Sequence, residues 1–400
     1  MQNPFRFRFL LALALLAPAA APAAERDIGE IVVIADPNAG IPITISSNSP
    51  ELQALADLAF NTHGAYKRVA SGGAYAFNFA AAGANQVTVT ITKGGGGVVH
   101  TQTVSGTSLR NALLRAADVA VTRTSKLRGY FAGKLAFVGE RTGKTEVYTS
   151  DLFFGELLKW TSDGKQVMSP RWSPQGDRIV FTSYRTTFPD IYVLDLGSRR
   201  ISLLASFKGT NSGGRFSPDG TRAAMVLSGE GNSEVYVGNA SGRQLRRLTK
   251  NQSVEASPVF SPDGTRLLFT SDAPGRPQLY MVPVTGGAMT RVTSGVSTYC
   301  AEPDWSAFDP NKIVFTAAEG RGYRIAVWDL AARAGKIIPA KNVPLDAVEP
   351  VWLADGRHVV CTFRSANVRY LVILDTESGK AVRLSPTAFG NASGASYLAQ

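Results

Sequence analysis

Two cysteines and three histidines are all that the 400-residue sequence offers of the side chains that most often hold transition metals. Two cysteines make no disulfide framework: Cys361, in the strand-like "HVVCTF", suits a buried free thiol, and both it and Cys300 read as free or incidental and not as a bridge. His63, His100 and His358 stand far apart, at a helix end, in a hairpin strand and in a later strand, without metal-ligand spacing. Long apolar runs are missing too. Residues 10–17 form the longest near the start, and no stretch reaches the length of a membrane-spanning helix. There is no Gly-x-Ser-x-Gly elbow, no P-loop and no dinucleotide fingerprint, so serine-hydrolase, nucleotidase and dehydrogenase chemistry lack their signatures. The formal net charge of +11 comes from scattered Lys and Arg. With no basic block and no interleaved aromatics, it is not a nucleic-acid footprint.

What is present begins with Arg6 and Arg8, an apolar stretch and Ala21-Pro22-Ala23. That is the pattern of a secretory signal peptide over 1–23, and it predicts an exported mature chain. Removing both arginines leaves a net charge of +9, from +11 minus 2.

The rest is dominated by a repeat. "PRWSPQGDRIVFTS" at 170, "GRFSPDGTRAAMVL" at 214 and "PVFSPDGTRLLFTS" at 258 write one hairpin three times. Pro presets φ in the turn, Asp follows, and Gly accepts the next backbone conformation. Aromatics before the turn recur at Trp172, Phe216, Phe260, Trp305 and Trp352, at spacings of 44, 44, 45 and 47. A second strand aligns on Phe137, Phe181, Met225, Phe269, Phe315 and Cys361, and a third and a more polar fourth follow each time. Four strands per period of about 40–45 residues read as a propeller blade. Six second strands predict six blades over 129–400. Only five first strands precede them, and Tyr397 falls one period after Trp352. Residues 395–400 are therefore expected to supply the inner strand of the blade at 134–163, which closes the ring and hides two sheet edges.

Residues 24–128 lack the repeat. Ser49-Pro50 signals a helix start, "AYAFNFAA" and "QVTVTIT" alternate as strands, and "GGGG" at 94–97 turns into "VVHTQTV". Leu109, Ala112, Leu113, Ala116, Ala120 and Val121 share one helical face. The fold class is thus mostly β: a six-bladed propeller preceded by a small α/β domain. Glu302 and Glu349, each before a proline, and the nearby Glu255 are expected near the channel mouth. There they either form a ring of carboxylates for a hard cation, or stand as solvated loop acids or hold neighbouring backbone amides, and no cage spacing favours the cation.

With the junction "SLRNALLRAADVAVTRTSKLRGYFAGKLAFVGE" at 108–140 and the start "IGEIVVIADPNAGIPITI" at 28–45, the chain resembles the TolB family of the Tol-Pal system. The resemblance spans nearly all of the mature chain. Departures are the region 46–80, "WSAFDPNK" at 305 and "WLADGR" at 352. It implies a PD40-type, WD40-like propeller working as a monomeric, non-catalytic periplasmic scaffold without cofactor. The implied partners are a Pal-like lipoprotein and a TolA-like protein. The matching Pal contacts are Thr210, Asn211, Gly213, Glu255 and Ala256. The TolA-like partner is implied to take the extreme N-terminus. There Ile28, Ile31, Val32, Val33 and Ile34 form a strand-like run that suits either a switchable partner-binding segment or a permanent edge strand. The other reading left open is an exported propeller that binds a different protein, or a small ligand in its channel.

Overall fold

The computed structural model describes residues 40–141, 143–339 and 346–400. The expected signal segment and the run with Ile28, Ile31, Val32, Val33 and Ile34 lie outside the described residues.

The α/β domain reads β1 (Ile41–Ser47), α1 (Pro50–Thr62), β2 (Tyr66–Arg68), β3 (Tyr75–Gly83), β4 (Gln86–Lys93), β5 (Val98–Ser105) and α2 (Leu109–Thr124). Ser108 Oγ accepts the Asn111 amide at 3.0 Å and Ser49 Oγ faces the Leu52 amide, so each helix starts on a serine cap. The sheet order is β2-β1-β3-β4-β5, with β1 parallel to both neighbours. In β4 the alternation that reads as a strand buries Val87, Val89 and Ile91 on one face. Phe60 of α1 packs at 5.1 Å from Phe77 and 5.2 Å from Phe131.

Six four-stranded antiparallel sheets follow. Their inner strands are Ala392–Leu398, Val167–Trp172, Asn211–Phe216, Glu255–Phe260, Cys300–Trp305 and Asp346–Trp352, taken here as blades 1 to 6. In blade 1 the C-terminal strand pairs with Lys134–Gly139, followed by Glu146–Asp151 and Leu158–Lys159. The aligned second-strand residues Phe137, Phe181, Met225, Phe269, Phe315 and Cys361 are all buried in the seams. Cys300 and Cys361 are separate free thiols.

The repeated turn does two jobs. Within a blade, Gly220 N–H donates to Ser217 O at 2.8 Å with Gly220 at φ +72°, and Ser217 Oγ accepts the Arg222 amide at 3.0 Å. Between blades, the arginine after the turn reaches its neighbour. Arg178 lies over Phe216 at 4.8 Å, Arg222 over Phe260 at 5.7 Å and Arg266 over Trp305 at 5.2 Å. The divergent "WSAFDPNK" keeps a version of this reach, with Lys312 Nζ donating to Gly356 O at 3.2 Å.

The α/β domain sits on the face that carries these turns. One apolar core runs from Phe60 and Phe131 into Leu135, Phe153, Leu371 and Ile373. The linker is pinned by Asp118 of α2, whose carboxylate accepts the amides of Phe131 at 2.7 Å and Ala132 at 3.0 Å. Tyr397 Oη donates to Tyr130 O at 2.8 Å, and a Cβ on Gly133 would lie 2.1 Å from the Tyr397 ring. The C-terminal strand therefore clasps both the ring and the linker. Deleting 393–400 is expected to lower the thermal midpoint by about 10 °C or more. Asp118→Ala, which strands two amides, is expected to cost about 2–3 kcal/mol in chemical denaturation.

Candidate functional site

The opposite face is where second strands end and inner strands begin. Among the described residues it carries Phe188, Phe207, Val254 and Val368 exposed at loop tips, Phe188 to 63% and Val254 to 51%. The exposed charges around them are mainly basic: Lys144, Lys165, Lys208, Lys250, Arg276, Arg321 and Arg369, against Asp163, Glu230 and Glu319. Tyr299 and Tyr323 stack edge to face at 5.2 Å, with Arg364 over Tyr323. Loops fixed on six rigid sheets make this rim a largely preformed platform.

The residues singled out for a Pal-like contact divide sharply. Thr210 is exposed on the rim, while Gly213 and Ala256 are half-buried in inner strands. Asn211 is fully buried. Its Nδ2 donates to Phe207 O at 2.8 Å and its Oδ1 accepts the Phe207 amide at 2.9 Å, so it is a staple that presents the Phe207 loop. Glu255 is buried as well, bonded to Asn251 and Ser271. Neither Asn211 nor Glu255 can be touched from outside. An asparagine or glutamate at a strand start reads as a polar contact, but the buried amides of the adjacent loop claim it first. The exposed aromatic tips Phe188 and Phe207 went unselected in the sequence. Their position in long connections between strands was the available signal.

In the channel, each inner strand breaks its ladder at one residue: Ser169, Gly213, Ser257, Glu302, Glu349 and Gly394. All six are left-handed, with φ between 50° and 67°. Four precede a proline, which a bulge tolerates. Glu302 and Glu349 thus lie within the inner strands, on this ring, whereas Glu255 starts its strand and stands apart from them. Glu302 Oε2 accepts Thr316 Oγ1 at 2.7 Å and the Glu349 amide at 3.0 Å. Glu349 Oε2 accepts Thr362 Oγ1 at 2.8 Å and the Gly394 amide at 3.0 Å. Each carboxylate ties its own bulge to the next blade. Burial, and then the neighbouring Glu349, push the Glu302 carboxyl upward. Beyond the ring, Arg215 pairs with Asp304, which also accepts the Trp352 amide, and Arg171 donates to Ala395 O at 2.8 Å. The cavity between these groups measures about 70 Å³.

A second polar cluster lies under the α/β domain, where ligand atoms of His63, Asp355 and His358 fall within 4.8 Å of one another. Hydrogen-bond accounting decides its role. His358 Nδ1 contacts Asp355 Oδ2 at 2.6 Å, while His358 Nε2 accepts the Gly64 amide at 3.0 Å. Both nitrogens of His358 are engaged, and the Gly64 donor fixes the Nδ1–H tautomer, which is not a metal-binding form at that atom. The cluster joins the two domains. In the channel, Glu349→Ala is expected to cost about 2 kcal/mol in stability, because it frees the Gly394 amide and Thr362. It should leave the heat of Ca²⁺ titration unchanged from the parent protein.

The comparisons agree with this architecture. The family model described as the TolB beta propeller domain matches residues 121–397. The Tol-Pal system protein TolB of Cereibacter sphaeroides is 39% identical over 111 residues, 26% of this chain and 25% of that one. That of Roseobacter denitrificans is 38% identical over 101 residues, 24% and 23% of the two chains. These matches span about a quarter of the relatives' length. The crystal structure of TolB from Acinetobacter baumannii superposes with a TM-score of 0.81, covering 91% of this chain and 98% of that one at 23% identity, a likeness of fold. Since the family model takes in more than half of its residues, the chain belongs to the TolB β-propeller family.

Proposed function

We propose that this chain is a non-catalytic periplasmic scaffold of a Tol-Pal-type system. It docks a Pal-like lipoprotein on the rim opposite the α/β domain and engages a TolA-like protein through residues 28–34. In this role it links inner- and outer-membrane components and supports outer-membrane integrity and constriction at division. The observation that carries the reading is the uncovered rim, where Phe188, Phe207, Val254 and Val368 stand exposed in a basic surround. Apolar anchors inside a polar rim are the anatomy of a protein interface. The excess of Lys and Arg favours a partner face that is acidic. A small-ligand role for the channel has less support, since its carboxylates Glu302 and Glu349 already hold amides.

The test is capture from periplasmic extract with the full mature chain, identification by mass spectrometry, and calorimetry with the Pal-like protein. Binding is expected with wild-type protein. Phe207→Ala combined with Val254→Ala is expected to weaken it by about tenfold or more at unchanged thermal midpoint. Raising salt from 50 to 500 mM should slow association more than it speeds dissociation. Loss of nothing in the double variant would refute the rim as the docking site.

A further inference from the structure

The rim contains a pair of acids that its docking role does not use. Glu234 opens the third strand of blade 3 (Glu234–Asn239), and Glu255 opens the inner strand of blade 4. Both are buried, at 0% and 1% exposure. Arg247 Nη2 and the Asn251 amide donate to Glu234 Oε1 at 2.8 and 3.0 Å. Asn251 Nδ2 and Ser271 Oγ donate to Glu255 Oε1 at 3.1 and 2.8 Å. The other oxygen of each group, Glu234 Oε2 and Glu255 Oε2, meets no donor. Asn251 bonds both groups, which brings the two carboxyls together with one buried oxygen left over on each. An ionised carboxylate only accepts, so two charged groups would leave both oxygens without a donor, whereas a proton on one of them supplies it.

We propose that Glu234 and Glu255 share a single proton and that this proton latches the 251–254 loop of the docking rim, so that releasing it loosens the loop and weakens docking. The loop hangs on the pair. Asn251 is tied to Glu234 by its amide and to Glu255 by its side chain, and its Oδ1 accepts the Ser253 amide at 2.6 Å. Val254, the exposed tip, follows directly, its amide held by Asp272 at 2.7 Å. The ionisable groups facing the pair are few. Among the described residues Arg247 of the fourth strand is the one cation bonded to it, and it also pairs with Glu230, which accepts Tyr236 Oη. Asp272 adds a further negative charge at the loop. A second ionisation would thus bury an extra negative charge beside a single, already shared arginine.

Burial pushes the Glu255 carboxyl up to about 7. Burial pushes Glu234 up as well, but the neighbouring Thr249, the Asn251 amide and Arg247 outweigh it and hold that carboxyl low. The sign for stability follows. Between the unfolded value of about 4.5 and about 7, the folded chain holds a proton that the unfolded chain has lost, so stability falls as pH rises across that window and levels off above it.

The direction of docking rests on the scaffold reading above; the shared proton and the loop do not. Glu255→Gln keeps the shape, cannot ionise, and donates an amide N–H to Glu234. Glu234→Gln serves as a second variant should the first fail to fold. Amide exchange of the full mature chain at pH 8.5 is expected to be about tenfold faster across 251–254 in the wild type than in Glu255→Gln, a gap that closes at pH 5.5. Affinity for the Pal-like protein is expected to drop about tenfold from pH 6 to pH 8.5 in the wild type and to stay flat in the variant. Equal exchange in both proteins at pH 8.5 overturns the latch. Wild-type affinity that is flat with pH overturns its link to docking. Absence of binding at both pH values overturns the scaffold reading together with that link, while the exchange data still decide the latch.

Discussion

The left-handed residue in every inner strand is the constraint on which the ring depends. A bulge lifts one amide out of its own ladder, and a buried amide needs an acceptor. In the later blades the acceptor comes from the neighbouring sheet: Thr270 for Glu302, Glu302 for Glu349, and Glu349 for Gly394. The kink that re-aims the strand toward the axis therefore also creates the polar contact between sheets. Apolar seams built on Phe181, Phe269 and Phe315 are non-directional and would tolerate sliding. The amide-to-carboxylate contacts are directional and hold blades 5, 6 and 1 at a set height.

On the turn face, coupling takes another form. Arginines after the hairpin turn lie over aromatic rings of the next blade, as Arg222 over Phe260. That face also receives the α/β domain, whose core is continuous with blades 1 and 6. Coupling at the two ends of the strands, with apolar packing between, leaves the free rim on stiff supports. Its loops are the part of the propeller released from packing.

How much of this could be read from the residues alone follows from what repeats. The blade count rests on aromatics and turn glycines at a period of 44 to 47, and these recur because every seam poses the same packing problem. The helices of the α/β domain were legible from Ser49, Ser108 and the apolar face of α2. The polar positions were less legible. Glu302 and Glu349 carry the same side chain as Glu255, but two ring residues bond amides and the third shares a proton, because of where each falls relative to the bulge. Asn211 and Thr210 are adjacent in the chain and opposite in exposure, since a strand turns alternate side chains to opposite sides. Such distinctions depend on neighbours that folding brings together, as Glu349 with Gly394 45 residues further on, which local pattern does not encode.

The strand Ala392–Leu398 lies in the first blade of the ring although every other propeller strand precedes it in the sequence, and Tyr397 reaches the linker at Tyr130. Order of synthesis and order in space are thus opposed. Until those residues are delivered, five and three-quarter blades stand with an open edge, and the linker lacks its anchor. Delivery of that one strand becomes a condition for completing the ring. A copy cut short before Ala392 is left with an unpaired strand in blade 1, exposed to proteolysis and unable to present a finished rim.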